Sequence, residues 1–239
     1  MVKSAAGPGR PRSRDAAGLP AVTPEKIISS ALELTARHGL DSWTLRQLAS
    51  AVDAYPAVVY HHVGDREAVV AAVVERVIAM LPVPEADLPW REWFRALCTD
   101  LRTVLIGYPG VARRLALYGA TSSAAAIVDG GVQALKAAGF GDEAPTVYQL
   151  VLNAACLFIS VEDEKHRNTA EKERAGTGLA EFRDDQERPG LAAMAADVHR
   201  TLSDPVRCAN YYADFYDYAI DRCLDGVACR LANLNPPSA

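Results

Sequence analysis

The chain has 239 residues, of which 50% are apolar and 23% are charged, enough apolar material for a globular protein of one or two domains. Its 25 basic and 30 acidic residues give a formal net charge of -5, which excludes indiscriminate coating of nucleic acid and allows only a local DNA-binding surface. Charged residues interrupt every apolar run before the roughly 18 to 20 residues of a membrane span. The start of the chain lacks the apolar core of a secretory signal, which predicts a cytoplasmic protein without membrane association.

Residues 1–22 are rich in Gly, Pro, Ser, Ala and Arg, a composition that cannot bury enough surface to offset chain entropy. They predict a disordered basic arm. Its charged residues are Lys3, Arg10, Arg12, Arg14 and Asp15. The Gly-Arg-Pro-Arg sequence at 9–12 resembles the minor-groove insert of AT hooks, while a merely solvated tail is the alternative. If the arm contacts DNA, its deletion should weaken binding and flatten the salt dependence.

A helix-turn-helix layout is predicted over residues 23–70. Thr23-Pro24-Glu25 can cap and open a first helix that ends at Gly39. Thr44 and Gln47 form a capping box that opens a short helix over about 45–52. After a tight turn at Asp53-Ala54, Pro56 suits the first position of a third helix that ends near residue 62. Two helices of about two turns each, joined by a short turn, are typical of helix-turn-helix domains.

The rest of the chain also shows helical periodicity, over 68–80, 90–106, 111–118, 124–138, 147–161, 191–202 and 206–231. No convincing run of alternating β-branched residues bounded by turn residues occurs, so the predicted fold class is all-α. Residues 71–239 would form a second, larger helical domain. Within it, the charged segment at about 162–190 predicts a mobile connection with one helical turn near 179–182.

The cysteines and histidines give no sign of a metal or redox site. The five cysteines are widely spread and form no CxxC pair, which favours reduced thiols buried as small apolar residues. His61 and His62 are adjacent, and adjacent helical side chains point about 100° apart, so they cannot easily chelate one metal. We expect no cofactor and no bound metal.

The segment Thr44-Leu45-Arg46-Gln47-Leu48-Ala49, followed by Tyr60-His61-His62-Val63-Gly64-Asp65-Arg66-Glu67-Ala68-Val69, resembles the tetracycline-repressor (TetR) family of bacterial transcription regulators. The resemblance covers about residues 23–70. In the second half, Leu224-Asp225-Gly226-Val227 looks like a Leu-Asp-Gly-Leu pattern that often closes the last helix of this family. The resemblance implies a repressor and not an enzyme. Such a protein binds a palindromic double-stranded DNA operator as a homodimer and is released by a small-molecule effector.

The resemblance also implies which residues contact DNA. Arg46 matches a base-reading position, where a guanidinium can bind guanine O6 and N7 together. Thr44 could bind a phosphate, or it could only cap its helix. The start of the third helix would approach base edges, and its end would hold the phosphate backbone. The expected DNA-binding residues are Thr44, Arg46, Tyr55, Pro56, Ala57, Val58, Tyr60, His61, His62 and Arg66.

Four positions depart from the family pattern, and at one of them Arg66 replaces a lysine, which would keep the phosphate contact. Asp53 stands where a turn glycine is usual, and we expect it to adopt the left-handed conformation that the turn requires. Tyr55 replaces a Ser or Thr that caps the recognition helix, so a family operator sequence cannot be transferred to this chain. Val63 replaces an aromatic residue, which implies different packing nearby.

A largely apolar cavity among the helices of the larger domain would bind the effector. The candidate ligand-binding residues are Trp93, Leu97, Tyr108, Tyr118, Asn153 and Phe158, with plain core packing as the alternative for each. Asn153 interrupts an apolar run, so its amide would orient a ligand or bond across helices. The last helix is apolar around much of its circumference, which suits a four-helix dimer interface formed with the helix over 147–161.

Two other functions remain open at this stage. The chain could be a helical small-molecule-binding protein or enzyme without a DNA role, although no catalytic arrangement stands out at a motif spacing. Alternatively, it could be a DNA-binding regulator controlled by a protein partner that docks on residues 162–190.

Overall fold

The computed structural model describes residues 22–119, 121–167 and 178–236. Apart from Val22, the predicted basic arm lies outside the described residues. Val22 is buried in the core, so the packed part of the chain begins one residue earlier than the sequence suggested.

The described residues form helices and turns, and contain no strand, which confirms the predicted all-α class. The helices are α1 (Pro24–His38), α2 (Leu45–Ala51), α3 (Pro56–His62), α4 (Arg66–Ile78), α5 (Trp90–Leu105), α6 (Val111–Tyr118), α7 (Ala125–Ala138), α8 (Ala144–Arg167), α9 (Pro189–Ser203) and α10 (Pro205–Leu234). Short 3-10 turns at Ser122–Ala124 and Gly141–Glu143 precede α7 and α8.

Local capping chemistry starts the helices of the N-terminal domain. The Thr23 hydroxyl accepts the Lys26 amide at 3.2 Å, and Pro24 occupies the first position of α1. At α2, Thr44 and Gln47 form the predicted reciprocal capping box. Asp65 accepts the Ala68 amide at 2.9 Å, so α4 begins at Arg66, two residues before the predicted start. These caps satisfy amides that would otherwise lack helical partners.

The first three helices and the start of α4 enclose a small apolar core. Trp43 lies at its centre and is almost fully buried. Its indole nitrogen donates to the Thr35 hydroxyl at 2.9 Å, and that hydroxyl in turn donates to the Ala31 carbonyl at 2.8 Å. The buried polar groups are therefore paired with one another, which fixes the segment before α2 against α1.

In the larger domain, α8 packs against α5, α6, α7 and α10. Aromatic residues fill the space between α5, α7 and α8, where Phe94 lies edge-on to Trp93 and to Tyr148. A Cβ atom added at Gly131 of α7 would lie only 2.7 Å from the Tyr148 ring and 2.9 Å from Trp93. The glycine is thus required by close packing, and this part of the domain is filled by side chains.

Helix α8 is longer than the sequence predicted. It begins at residue 144 and continues to Arg167, six residues beyond the expected end at 161. Glu162 and Asp163 are buried, which corrects the expectation that the charged connection begins there. Residues 178–180 form a helical turn, close to the turn predicted near 179–182, and residues 168–177 lie outside the described range.

One described segment, Gly141–Glu164, is long and apolar enough to cross a membrane by length and composition alone. Core helices of soluble proteins meet the same criterion. The segment contains most of α8, and α8 packs against four other helices of the domain.

Glu75 joins the connecting helix α4 to the start of α7. Its carboxylate accepts the Ser122 amide at 3.0 Å, the Ser122 hydroxyl at 2.7 Å and the Ser123 amide at 2.9 Å. Burial alone would raise the pKa of Glu75, but the hydrogen bonds from Ser123 and Ser122 outweigh burial and lower the pKa to about 2. The charged form of Glu75 is therefore favoured in the folded protein.

Replacing Glu75 with Gln should lower the free energy of unfolding at neutral pH. It should also remove part of the pH dependence of that free energy. Because the folded-state pKa lies below the ordinary value of 4.5, the carboxylate stabilises the fold above about pH 4.5 and loses that effect as the pH falls towards 2. In urea unfolding at a series of pH values, the difference between wild type and Glu75→Gln should therefore shrink with acidification. Glu33→Gln, which alters an exposed ion pair with Arg37, is the control. A difference independent of pH would contradict this role of Glu75.

Candidate nucleic-acid interface and effector domain

The turn between α2 and α3 has the conformation that a helix-turn-helix requires. Asp53 adopts a positive φ of 52°, which no other non-glycine residue of the described chain does. This agrees with the prediction that Asp can replace the usual glycine there. Tyr55 occupies the N-cap position of α3 without a side-chain capping bond, and its ring is 77% exposed. The Tyr55 side chain therefore points into solvent and does not cap α3.

Several predicted DNA-binding residues lie together on one exposed surface. Arg46, Tyr55 and Pro56 line a shallow concavity between α2 and α3, together with Ser50, Asp53 and Ala54. Farther along α3, the exposed predicted residues are Ala57, Tyr60, His61 and His62. Val58 differs, because it is half-buried and packs against the core. Its expected approach to base edges is thus restricted to the exposed part of its side chain.

Arg46 is distinguished from neighbouring arginines of α1 and α4 by its surroundings. Arg37 pairs with Glu33, and Arg76 of α4 pairs with Glu25. Within the described part of the chain, Arg46 makes no ion pair or side-chain hydrogen bond. It is exposed, so its guanidinium can reach an external acceptor without breaking an internal contact.

The hydroxyl of Thr44 is used within the protein. It accepts the Gln47 amide at 3.3 Å and lies 3.0 Å from the Gln47 carbonyl oxygen Oε1. The Gln47 side chain also accepts the Thr44 amide at 2.8 Å. This geometry shows the capping role, which was one of the two alternatives for Thr44.

Arg66 is also engaged inside the domain. Its guanidinium donates to the Leu40 carbonyl at 2.8 Å and to the Trp43 carbonyl at 3.3 Å. It also lies 5.0 Å from the centre of the Trp43 ring. These contacts join α4 to the segment between α1 and α2, and they favour a structural role for Arg66 over the predicted phosphate contact.

The structure does not bring the six predicted ligand-binding residues into one cavity. Trp93 and Leu97 are almost fully buried core residues, an environment that favours the packing alternative for both. Tyr108 is half-buried against the core. Tyr118 is 73% exposed and lies beneath the Arg114 guanidinium. The predicted residues therefore occupy separate environments.

The last two candidates lie on α8. Asn153 is half-buried rather than buried, and its oxygen accepts the Gln149 side-chain amide at 2.7 Å. The interruption of the apolar run thus marks a partly exposed position and not a buried amide. Phe158 lines a largely aromatic pocket between α8 and α10, whereas the exposed Tyr118 lines two more polar pockets beside α6.

Sequence reasoning missed a group of buried charges near the end of α8. Arg102 of α5 donates to the two carboxylate oxygens of Glu162 at 2.7 and 3.1 Å. The next residue, Asp163, accepts the Gly110 amide at 2.9 Å. The sequence contains one indication that Asp163 is buried. It follows Ile159, an apolar residue of the core, by four residues and therefore lies on the same face of the helix.

The cysteines only partly match their predicted burial. Cys98 and Cys156 are buried, and burial raises the pKa of both thiols to about 12, so they remain protonated. Cys208 and Cys223 are half-buried, and Cys229 is exposed, so the prediction was wrong for Cys229. Its position on the outer face of α10 explains the difference.

A three-helix domain with an exposed α2–α3 surface, joined through α4 to a larger helical domain, defines a helix-turn-helix regulator. Residues 27–73 match the family model for bacterial regulatory proteins of the tetR family. Residues 81–230 match the model for the tetracyclin repressor-like C-terminal domain. The chain therefore belongs to the TetR family of transcriptional regulators, which confirms the resemblance found in the sequence.

Two curated relatives resemble the N-terminal part of the chain. An HTH-type transcriptional regulator of Saccharopolyspora erythraea is 32% identical over 94 residues, which are 39% of this chain and 40% of the relative. The class A tetracycline repressor protein from transposon 1721 of Escherichia coli is 30% identical over 93 residues, or 38% and 43% of the two chains. The matched region thus spans about two fifths of the length of these relatives.

Solved structures share the fold over most of the chain. ActR of Streptomyces coelicolor, in complex with (S)-DNPA, is 18% identical with a TM-score of 0.69, covering 90% of this chain and 100% of ActR. A possible TetR family regulator from Streptomyces coelicolor A3(2) is 25% identical with a TM-score of 0.69, covering 86% and 98%. BioQ with its natural double-stranded DNA operator is 21% identical with a TM-score of 0.54, covering 74% and 98%.

Proposed function

We propose that this regulator is a cytoplasmic repressor that binds a palindromic DNA operator as a homodimer and releases it when a small molecule binds the larger domain. The observation that carries the proposal is the exposed α2–α3 surface, on which Arg46 lies beside the start of α3. BioQ has been solved with a DNA operator and ActR with (S)-DNPA. These two relatives with the same fold support a DNA-binding and a ligand-binding role for the two parts of this chain.

On the DNA side, Arg46 would read a guanine and the start of α3 would contact neighbouring base edges. Tyr55, Pro56 and Ala57 are all exposed there, and small apolar groups favour thymine methyl groups. The exposed Tyr60 hydroxyl and the rings of His61 and His62 would hold the phosphate backbone and fix the register. Thr44 and Arg66 would act mainly by holding α2 and α4 in place.

The proposed homodimer would form through α8 and α10. Leu150, Leu157 and Val161 are exposed and lie at helical spacing on one face of α8. Phe215 and Tyr218 of α10 are also exposed, and Phe215 shares a pocket with Val161, so the two apolar faces are adjacent. Such a face suits burial against a second copy. A dimer is also needed functionally, because two recognition helices about 34 to 36 Å apart read a palindrome.

We place the division between the proposed domains at residues 70–71, within α4. Because α4 belongs to the N-terminal core at one end and contacts the larger domain through Glu75 at the other, it can transmit a change of orientation. An effector that binds more tightly to the conformation with displaced DNA-binding domains would shift the equilibrium towards that conformation. The size of the shift would equal the difference between its binding free energies for the two conformations.

Selection from random DNA duplexes with the full-length protein tests this function. Sequencing of the bound duplexes should reveal an inverted repeat whose half-sites are centred about one helical turn, or a multiple of it, apart. The mass of the purified complex should correspond to an even number of chains per duplex. Enrichment of no sequence, or of a single half-site bound by one chain, would overturn the proposal.

A further inference from the structure

An aromatic pocket lies between the C-terminal half of α8 and the N-terminal half of α10. We use this name for the cavity lined by Phe158, Val161, Tyr211, Tyr212, Phe215 and Tyr216, with a volume of about 200 Å³. Five of its six lining residues carry aromatic rings. The pocket is separate from the packed centre of the domain, where Trp93 and Tyr148 leave no room even for a methyl group at Gly131.

The rings of the aromatic pocket meet at different angles. Phe158 and Phe215 are nearly perpendicular with centroids 5.7 Å apart, whereas Tyr211 and Phe215 are stacked at 6.1 Å. Rings in perpendicular and in parallel orientation therefore line the same pocket. Aromatic molecules bind favourably to such surroundings, because offset stacking and edge-to-face contacts are both preferred geometries.

The volume of the aromatic pocket limits the size of its occupant. An apolar cavity of about 150 Å³ in another protein stays dry and binds benzene. A cavity of about 200 Å³ is somewhat larger, which suits a planar molecule of about two fused rings.

The charges beside the aromatic pocket limit the charge of its occupant. Arg102 lies over the Tyr216 ring at 5.8 Å and is paired with the buried Glu162. Burial, the neighbouring Tyr211 and the Glu162 carboxylate together raise the pKa of Tyr212. Because the Arg102 guanidinium is paired with the Glu162 carboxylate, neither charge is available to a charged ligand unless that pair breaks. A neutral ligand therefore fits best.

We propose that the aromatic pocket binds a neutral planar molecule of about two fused aromatic rings, and that effectors of this regulator belong to this chemical class. The second part rests on the proposed repressor function. Val161 and Phe215 are each 44% exposed and belong to the apolar face assigned to the dimer. A second copy seated on that face would cover the pocket and shield the ligand from water.

Photolabelling with 2-azidonaphthalene locates the binding site in the full-length wild-type protein. Irradiation should place the label on α8 near residues 158–161 and on α10 near residues 211–216, as read by peptide mass spectrometry. Excess unreactive naphthalene should suppress this labelling. Labelling spread over the surface, labelling of other helices, or no labelling because side chains of the second copy fill the pocket would each overturn the proposal.

Variants test the contribution of the ring faces. Phe158→Leu keeps an apolar side chain but removes one ring, so the dark affinity for 2-azidonaphthalene should fall about threefold to tenfold by equilibrium dialysis. Phe182→Leu is the matched control, because it makes the same substitution at a ring that packs against Arg188 outside the pocket. Equal affinities for wild type and Phe158→Leu would contradict the assignment.

Binding to the selected operator separates the two proposals. If unliganded protein binds an operator but not the naphthyl compound, only the pocket assignment fails. If the protein binds the compound but enriches no operator, the repressor function fails and the pocket assignment stands. With both intact, saturating 2-azidonaphthalene in the dark should lower operator affinity, and an unchanged affinity would exclude this chemical class as the effector.

Discussion

Replacing Arg46 with Ala should weaken operator binding by about 1–3 kcal/mol for each half-site, the usual value of a bidentate contact to guanine. A homodimer would lose this contact at both half-sites. Because Arg46 is exposed and makes no ion pair within the described chain, the substitution should leave the free energy of unfolding nearly unchanged. Discrimination at the contacted base pair should also decrease. Titration of the selected operator and of single-base variants measures both effects.

Two further variants complete the test of Arg46. Arg37→Ala removes another exposed arginine of the same domain, which pairs with Glu33, and should leave sequence preference unchanged. Tyr60→Phe removes a proposed phosphate contact, so it should weaken binding to all sequences by a similar factor. If Arg46→Ala kept full affinity and base preference, Arg46 would not read DNA.

Removing Arg102 should be among the most destabilising single changes in the larger domain. Its side chain is 21% exposed, and that of its partner Glu162 is 7% exposed. Arg102→Ala leaves the Glu162 carboxylate buried without its counter-charge, a change that costs about 3–5 kcal/mol in proteins. Urea unfolding should show this loss directly as a lower midpoint.

The double variant Arg102→Met with Glu162→Leu distinguishes two causes of lost stability, namely the loss of the ion pair and the burial of an unpaired charge. Well-packed apolar replacements of a buried pair are often neutral, so the double variant should recover most of the stability lost in Arg102→Ala. Arg222→Ala is the control, since the Arg222–Asp225 pair is exposed and should contribute less than about 1 kcal/mol. A loss of stability below about 1 kcal/mol for Arg102→Ala would contradict the interpretation that Arg102 and Glu162 form a buried ion pair.

The helix starts were predictable because they depend on neighbouring residues in the chain. Thr23, Thr44 and Asp65 each cap a helix within three residues, and Asp53 takes the expected backbone conformation. All the information needed for these features lies in a short stretch of sequence. The same holds for the exposed start of α3, whose position follows from Pro56 and the length of the turn.

Side-chain surroundings were less predictable, because distant segments determine them. Trp93 resembles a ligand-binding residue in sequence, but Gly131 and Tyr148 close the space around it. Arg66 matches a phosphate-binding position, but carbonyls of Leu40 and Trp43 accept its donors. The aromatic residues near the start of α10 predicted a dimer interface, and several of them line the aromatic pocket as well. Composition alone does not distinguish an aromatic core from an aromatic cavity.

One peptide group forms hydrogen bonds to both parts of the protein. The Pro109 carbonyl accepts the Leu40 amide at 2.8 Å, while the amide of the same peptide group, on Gly110, donates to Asp163 at 2.9 Å. Because a peptide group is a rigid plane, it cannot rotate to follow one partner without misaligning its bond to the other. The two bonds also polarise the same group and strengthen each other. Tilting the DNA-binding domain away from this loop should therefore break the Leu40 bond and weaken the Gly110–Asp163 bond that the Leu40 bond polarises.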